Sequence, residues 1–373
     1  MPKPVKYHYG QFPPTHVNWV KLIPLLGPAS AALARYDGTL TAIPNPAVLL
    51  SPLTTQEAVL SSRIEGTQTT IEEVLEFEAE ENSENLSQEK KADIGEVLNY
   101  RKAIRTATDL LGELPLCNRV VREAHKVLME NVRGHNKAPG EYRRTQNWIG
   151  VPGAGVEDAR FVPISPEELQ DGMSEWERYI HAEAPDTLVQ LAVLHAEFEA
   201  LHPFNDGNGR IGRMFVPLFL QEAGLIQSPM FYISAHFEAN REEYYDRLLA
   251  VSRDGNWTDW CVFFLKAVEI QAKENQAKAT AILNLYGDKK VQIASLARSK
   301  HAIHILDFLF SRPIFRATEL TKAGNMPLSS AKRLLLELKA EGLIVTLRPS
   351  SGRRSAVFAF RELLNIAEGK VLF

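Results

Sequence analysis

The sequence predicts a mainly α-helical protein that carries one small β-hairpin and closes on a separate helix-and-hairpin domain. Three observations predict it. Apolar residues repeat every ~3.6 positions from about Asp93 to about Thr280, the hairpin aside. Two short strand-like runs, Trp148–Val151 and Phe161–Pro163, flank Pro152-Gly153-Ala154-Gly155. From about Val291 the pattern changes to short helices followed by two strand-like runs. The chain therefore reads as an N-terminal region over 1–92, a helical core over 93–285 and a C-terminal domain over 291–373.

Residues 1–50 are Pro-rich and loosely patterned, with a short helix expected over Ala29–Tyr36. Thr54 and Glu57 suggest a capping box for a helix of about three turns that buries Ala58, Leu60 and Ile64 and ends at Gly66. Ser61 and Glu65 share one face of that helix. The acid-rich stretch from Glu72 to Glu84 ends one helix and forms a solvated connection, because like charges repel and lack apolar partners. In the hairpin, Pro163 has no N–H to donate and confines its strand to an edge. Such an edge can accept an extended segment by β-augmentation, although an ordinary surface hairpin accounts for the same residues.

Asp186 can cap a helix whose positions Leu188, Leu191, Ala192, His195, Phe198 and Leu201 follow the helical period. Pro203 disfavours the α region at His202, so this helix ends there. After the Gly207 and Gly209 turn, a second helix begins near Arg210 and presents Met214, Phe215, Leu218 and Phe219, with Pro217 expected to kink it. Asn240, Tyr244 and Tyr245 fall in a further helical pattern. In the last domain, helices are expected around Ile303–Leu309, over Ala317–Ala323 and over Ser329–Glu341, with a turn at Gly324-Asn325-Met326-Pro327. Strands follow over Leu343–Leu347 and Ala356–Phe360, either side of Pro349-Ser350-Ser351-Gly352.

Composition bounds the function. With 45% hydrophobic and 24% charged residues, the 373-residue chain is ordinary for a globular protein with a substantial core. A formal net charge of −4 excludes a globally basic nucleic-acid binder while leaving room for a local basic surface. No apolar run approaches membrane-spanning length and the start Met-Pro-Lys-Pro-Val-Lys-Tyr lacks an apolar core, so a cytoplasmic protein without a membrane partner is expected. Cys117 and Cys261 neither build a disulfide framework nor give metal-ligand spacing.

The run His202-Pro-Phe-Asn-Asp-Gly-Asn-Gly-Arg-Ile-Gly-Arg213 carries the chemistry. It combines a histidine able to move a proton, a carboxylate able to hold a hard metal ion, a turn delivering free N–H groups at a helix N-terminus, and two arginines. Cations in a first helical turn oppose the helix dipole by about 0.3–1 kcal/mol each, a penalty that a bound polyanion removes. Arg210 and Arg213, spaced i and i+3, project from one face and can clamp successive phosphates. No Gly-Lys-Ser/Thr follows the glycines, so the run is not a Walker A loop.

Here the chain resembles the Fic family of protein adenylyltransferases, whose signature His-x-Phe-x-Asp/Glu-Gly-Asn-Gly-Arg-x-x-Arg is matched at every fixed position from His202 to Arg213. The resemblance implies a Fic helical core with a β-hairpin flap, transferring AMP from ATP to a Ser, Thr or Tyr hydroxyl of a target protein, or of itself, and releasing pyrophosphate. His202 is then the general base and Asp206 the Mg²⁺ ligand. Gly207, Asn208 and Gly209 form the anion hole, Arg210 and Arg213 hold the distal phosphates, and Ile211 and Gly212 complete the nucleotide-binding run. Phe204 packs inward. The resemblance also makes Ser61, Glu65 and Gly66 an inhibitory helix motif in which Glu65 pairs with Arg213 and excludes the γ-phosphate. It suggests Tyr245 as a stacking partner for adenine, although an aromatic at helical spacing fits a core equally.

The final segment resembles a winged helix-turn-helix. Lys332, Arg333 and Lys339, with Arg316 nearby and Arg348, Arg353 and Arg354 at the wing, suit contact with DNA or with protein. Two other functions compete with AMP transfer: transfer of a different phosphate-containing group, and a DNA-binding regulator that uses the same fold as a nucleotide sensor. A sensor has no need of the intact His202. A homo-oligomer is compatible with the sequence.

Overall fold

The computed structural model describes residues 3–79, 86–131, 137–151, 153, 155–297, 302–323, 327–351 and 355–371. The chain begins with β1 (Val5–Lys6), α1 (Trp19–Thr41), α2 (Pro46–Leu49), α3 (Ser51–Ile64), α4 (Ile71–Ala79), α5 (Gln88–Leu111) and α6 (Asn118–Leu128). It continues through β2 (Phe161–Val162), α7 (Leu169–Ile180), α8 (Thr187–Leu201), α9 (Asn208–Glu222), α10 (Ser234–Ala239), α11 (Arg241–Asp254) and α12 (Trp257–Ala297). It closes with α13 (Ala302–Ser311), β3 (Ile314–Arg316), α14 (Ala317–Ala323), α15 (Leu328–Ala340), β4 (Val345–Arg348), β5 (Val357–Ala359) and α16 (Arg361–Glu368). The fold is mainly α, and no helix of the described residues is long and apolar enough to cross a membrane.

Two compact units are interleaved along the chain. The first comprises Met1–Asp37, Leu60–Gly66 and Leu98–Lys273, and the second Gly38–Val59, Thr67–Val97 and Glu274–Phe373. The last turn of α3 with Ser61, and the turn after it with Glu65, thus belong to the first unit although their flanks in sequence belong to the second.

In the first unit, α8 and α9 are core on every side. All of α8 from Leu188 to Leu201 is buried except Glu199, and all of α9 from Asn208 to Leu220. Periodicity predicts a one-sided stripe, but a helix enclosed by neighbours buries its whole circumference. Two indoles fix α8 by donating to its backbone: Trp176 Nε1 to the Leu194 carbonyl at 2.9 Å and Trp260 Nε1 to that of Ala192 at 2.7 Å. Asp186 caps the helix as expected, its Oδ1 accepting from the N–H groups of Leu188 and Val189 at 2.9 and 3.0 Å. Pro217 lies within an α9 that continues to Glu222, and its missing N–H leaves the Arg213 carbonyl without its usual helical donor.

The structure corrects several expectations. Instead of a short helix over Ala29–Tyr36, α1 spans 23 residues and contains Pro24 and Pro28. Leu22, Ala29, Leu33, Tyr36 and Leu40 form a buried helical stripe, so packing outweighs the proline penalty. α3 starts at Ser51 with Pro52 in its first turn, so Thr54 lies inside the helix and no capping box forms there. α12 runs unbroken to Ala297, past the boundary that the changing pattern suggests.

The predicted hairpin reduces to one antiparallel bridge, Ile149 to Phe161. The other edge of β2 pairs in parallel with β1, Val5 opposite Phe161 and Lys6 opposite Val162. A distant segment thereby satisfies the edge that Pro163 was expected to leave open. The remaining edge presents Trp148, Ile149 and Val151, all exposed. Pro152 and Ala154 of the predicted turn lie outside the described residues.

In the second unit, β3 lies between α13 and α14, α15 leads into β4 and β5, and the three strands form an antiparallel sheet of order β3-β5-β4. The helices and the β4–β5 pair match the expected order, whereas β3 gave no sequence signal. Phe308, Phe310, Phe315 and Phe360 supply edge-to-face aromatic contacts to the core. On α15, Ala331, Leu334, Leu335 and Leu338 face inward and Lys332, Arg333, Leu336 and Lys339 outward. Arg333 pairs with Glu337 and Arg316 with Glu319. Arg353 and Arg354, like Gly324, Asn325 and Met326, lie outside the described residues.

Asp186→Ala removes the acceptor of two N–H groups at the start of the buried helix α8. The substitution is expected to cost ~1 kcal/mol of stability. Denaturant unfolding followed by tryptophan fluorescence checks this, and an unchanged midpoint would show that the cap contributes nothing.

Candidate functional site

The turn from α8 into α9 takes the backbone out of ordinary conformations, as Asn131 and Ala138 also do elsewhere among the described residues. His202 has φ 47° and ψ 59°, the left-handed region that disfavours a residue with a Cβ. Its conformation is over-determined by hydrogen bonds. The His202 N–H donates to the Phe198 carbonyl at 3.0 Å, and the Arg143 N–H donates to the Pro203 carbonyl at 2.9 Å. The buried Arg143 guanidinium donates to the carbonyls of His202 at 3.0 Å, Leu201 at 3.3 Å, Ile164 at 2.5 Å and Thr145 at 3.3 Å. A cation thus closes the C-terminal end of α8, where the helix dipole favours one. Burial lowers the Arg143 pKa to about 10, so it stays charged at neutral pH.

The following turn is braced from inside. Phe204 donates its N–H to Asn208 Oδ1 and accepts from Asn208 Nδ2 at its carbonyl, both at 2.8 Å. Its buried ring stacks on His125 at 3.7 Å and 5°. His125 Nδ1 accepts from the Gly140 N–H at 2.9 Å, so Nε2 carries the hydrogen and donates to the Asp206 carbonyl at 2.9 Å. Burial lowers the His125 pKa to about 4, consistent with that neutral tautomer. Gly207 caps α9 at φ 77°, and a Cβ there would lie 3.1 Å from the Met129 sulfur. The second helix therefore starts at Asn208, two residues earlier than the pattern suggests.

These supports direct the polar groups of the motif. Asp206 Oδ1 accepts from the Gly207 N–H at 2.7 Å and lies 3.5 Å from Arg210, while Oδ2 accepts from Lys137 at 2.9 Å. Burial works to raise its pKa, but Lys137 and Arg210 hold it below the usual carboxylate value. The carboxylate is one-third exposed and ionised. Among the described residues no three His, Cys, Asp or Glu side chains cluster into a metal cage. A single carboxylate suits Mg²⁺, which takes one or two protein oxygens and completes its shell with phosphate and water. Burial also depresses His202, to about 4, against the opposing field of Glu65, so its imidazole is neutral at physiological pH.

The end of α3 brings Ser61 and Glu65 onto Arg213, which is almost fully buried. Arg213 donates from Nε to Ser61 Oγ at 2.9 Å, and from Nη2 to the Ser61 carbonyl at 2.8 Å and to Glu65 Oε1 at 2.6 Å. Burial opposes ionisation of both partners, yet the pairing wins: the Glu65 pKa falls and that of Arg213 rises. The Glu65 carboxylate lies so close to α9 that a Cβ built on Gly209 would be 2.1 Å from Oε1. An anion thus already occupies the first turn of α9 beside the arginines, and it belongs to the chain itself. Gly66, at φ 101°, ends the segment.

Tyr245 donates to the Ile64 carbonyl at 3.4 Å and packs beside the Arg241 guanidinium. Buried Tyr244 lies behind it and bonds His195. Ile211 and Gly212 are buried within α9. Sequence reasoning misses Arg143, His125, Lys137 and Glu199, all of which touch or face the motif. None carries a spacing signal, because each reaches the site through the fold.

A Fic/DOC family model matches residues 115–220, and a Fic/DOC family N-terminal model matches residues 23–109. The chain belongs to the Fic/DOC family. Among curated members, the Protein adenylyltransferase Fic of Culex quinquefasciatus is 30% identical over 133 residues, which cover 35% of this chain and 23% of that protein. Protein adenylyltransferase fic-1 of Caenorhabditis elegans is 30% identical over 88 residues, 23% of this chain and 16% of that protein. The matched segment thus spans about a quarter or less of these Fic relatives. A Fic family protein from Desulfovibrio desulfuricans G20 shares the fold with a TM-score of 0.58 at 19% identity, covering 93% of this chain and 98% of the other. The Fic-1 fragment of C. elegans gives 0.52 at 19%, covering 72% and 74%.

Arg143→Met strips the donor from four carbonyls around the Fic motif. Each buried acceptor left unpaired costs about 1–3 kcal/mol, so a loss of several degrees in melting temperature is expected. Scanning calorimetry provides the check, and an unshifted transition would remove Arg143 from the role assigned above.

Proposed function

We propose that the chain is a protein adenylyltransferase held off by the end of its own α3. The observation that carries this reading is the Glu65 carboxylate, seated on the first turn of α9 against Arg213 and near a neutral His202. A helix N-terminus with two arginines is an anion site. Here the resident anion is a side chain that another anion can replace. The relatives named protein adenylyltransferases support ATP as the donor and a protein hydroxyl as the acceptor.

The residues then divide the work. The N–H groups of Gly207, Asn208 and Gly209 cradle phosphate oxygens, and Arg210 and Arg213 take the distal charge, which leaves the α-phosphate toward His202. His202 accepts the hydroxyl proton as the oxygen attacks the α-phosphorus, forming the new P–O bond. The bond from that phosphorus to the bridging oxygen breaks, and pyrophosphate leaves with its charge at the two arginines. Mg²⁺, when held by Asp206, supplies further neutralisation of the phosphate oxygens. Tyr245 is proposed to pack against adenine. The exposed segment at Ile149–Val151 is proposed to align the target side chain.

His202→Ala removes the base and leaves the phosphate cradle, so transfer should fall on the order of 10²–10⁴-fold while ATP binding survives. Mass spectrometry of the parent and variant after incubation with ATP and Mg²⁺ reads both rate and chemistry. A product heavier by phosphate instead of AMP would reassign the reaction, and an equally fast alanine variant would refute the role of His202.

Glu65→Gly should free Arg213 for the γ-phosphate and remove a repelling carboxylate, raising both ATP affinity and self-modification. An ordinary exposed pair contributes only ~0–1 kcal/mol, so an inert Glu65 predicts almost no change. In Glu65→Gly with Arg213→Ala the gain should vanish. Labelled-ATP incorporation equal in the parent and Glu65→Gly proteins would dispose of the inhibitory assignment and leave the catalytic one standing.

A further inference from the structure

Glu199 lies on α8 one turn before His202. Its side chain is only 12% exposed, and its Oε1 is buried without a hydrogen-bond partner. That oxygen rests against the backbone of α9, since a Cβ built on Gly212 would approach it to 2.3 Å. The nearest ring nitrogen, His195 Nε2 at 4.0 Å, offers no proton. His195 Nδ1 faces the Gly212 carbonyl at 3.0 Å and therefore carries the hydrogen, which leaves Nε2 to accept from the Tyr244 hydroxyl at 2.9 Å. The cation within electrostatic reach of Glu199 is Arg213, already engaged by Glu65 and Ser61.

Two carboxylates, Glu199 nearly enclosed and Glu65 one-third exposed, therefore attend one buried guanidinium, and only Glu65 is bonded to it. We propose that Glu199 is the standby counter-ion of Arg213: ionised when the guanidinium has neither Glu65 nor a phosphate, neutral when either is present, so that phosphate binding takes up one proton. This rests on the reading of Arg213 as a phosphate-binding residue. Arg213 left without a carboxylate would be an uncompensated buried charge, the arrangement proteins tolerate least. When phosphate arrives, the Glu199 carboxylate would add a second negative charge, and binding H⁺ to give the neutral acid removes it.

The surrounding groups leave Glu199 to do this alone. On α8, burial lowers His195 to about 3 and His202 to about 4, so both are neutral. Glu65, in the turn just after α3, is depressed, while Arg213 on α9 is raised. On α11, burial holds Tyr244 far above its ordinary value and pushes Tyr245 up to about 12. Burial pushes Glu199 itself up to about 7, with Arg213 pulling it down and Glu65 adding to the rise. Removing Glu65 withdraws that repulsion and frees the guanidinium, and both changes favour the ionised form.

The test uses the full chain carrying Glu65→Gly, with ATP and Mg²⁺ titrated calorimetrically at pH 6 and pH 8 in buffers of different ionisation heat. With Glu199 near 7 when an anion engages Arg213, linkage predicts uptake approaching one proton per nucleotide at pH 6 and little at pH 8, with affinity up to about tenfold weaker at pH 8. Adding Glu199→Gln should abolish the uptake and equalise the two affinities. The same proton uptake in the glutamine variant, or none in Glu65→Gly itself, would overturn the proposal. The proton count on Glu65→Gly decides even if the glutamine variant does not fold. A Glu65→Gly protein that binds ATP no more tightly than the parent would instead refute the inhibitory reading beneath it.

Discussion

The site depends on one guanidinium that meets His202 only through its backbone. Arg143 gathers the carbonyls that α8 leaves unpaired at its end and ties them to the segment around Ile164. Without such a donor, His202 would relax from its left-handed conformation toward one that a Cβ tolerates, a difference of about 1–2 kcal/mol. With it, the chain reverses sharply enough to begin α9 six residues later. His202 and the N–H groups of the turn are then held between two almost fully buried helices. The reciprocal Phe204–Asn208 bonds and the His125 stack complete the bracing.

Onto this frame the chain places an unusual concentration of charge. Arg210 and Arg213 enter α9 at the end of its dipole that repels cations. Asp206 compensates the first and Glu65 the second. The resting protein is thereby satisfied electrostatically, and a ligand must outcompete a charge-assisted pair buried on one side and one-third exposed on the other. On the proposed inhibitory reading that asymmetry suits a reversible block, since a fully exposed pair would contribute too little to exclude a nucleotide and a fully enclosed one would not exchange with solvent.

Much of this was legible in the sequence because local rules govern it. Asp186 as a cap, the helix ending at His202 before Pro203, the conformational need at Gly207 and Gly66, and the order of elements in the last domain all follow from residue chemistry within a few positions. The density of function in His202–Arg213 likewise reflects a turn built from consecutive residues. What the sequence misplaced was decided at longer range. The prolines of α1 read as breaks until its buried stripe was packed, and Pro163 read as an open edge until Val5 and Lys6 covered it.

The sequence by itself therefore determined which groups could do chemistry: a proton acceptor, a carboxylate, an anion-binding turn and two cations in fixed order. Only the tertiary structure decided what each group meets. Arg143, 59 positions from His202, becomes its clamp, and Glu65, 148 positions from Arg213, becomes its partner. Glu199 is left within reach of both charges with its buried Oε1 unbonded. The physical reason is that covalent spacing fixes hydrogen-bond partners only within a turn or two, while the burial that sets charge states comes from chain segments that no periodicity connects.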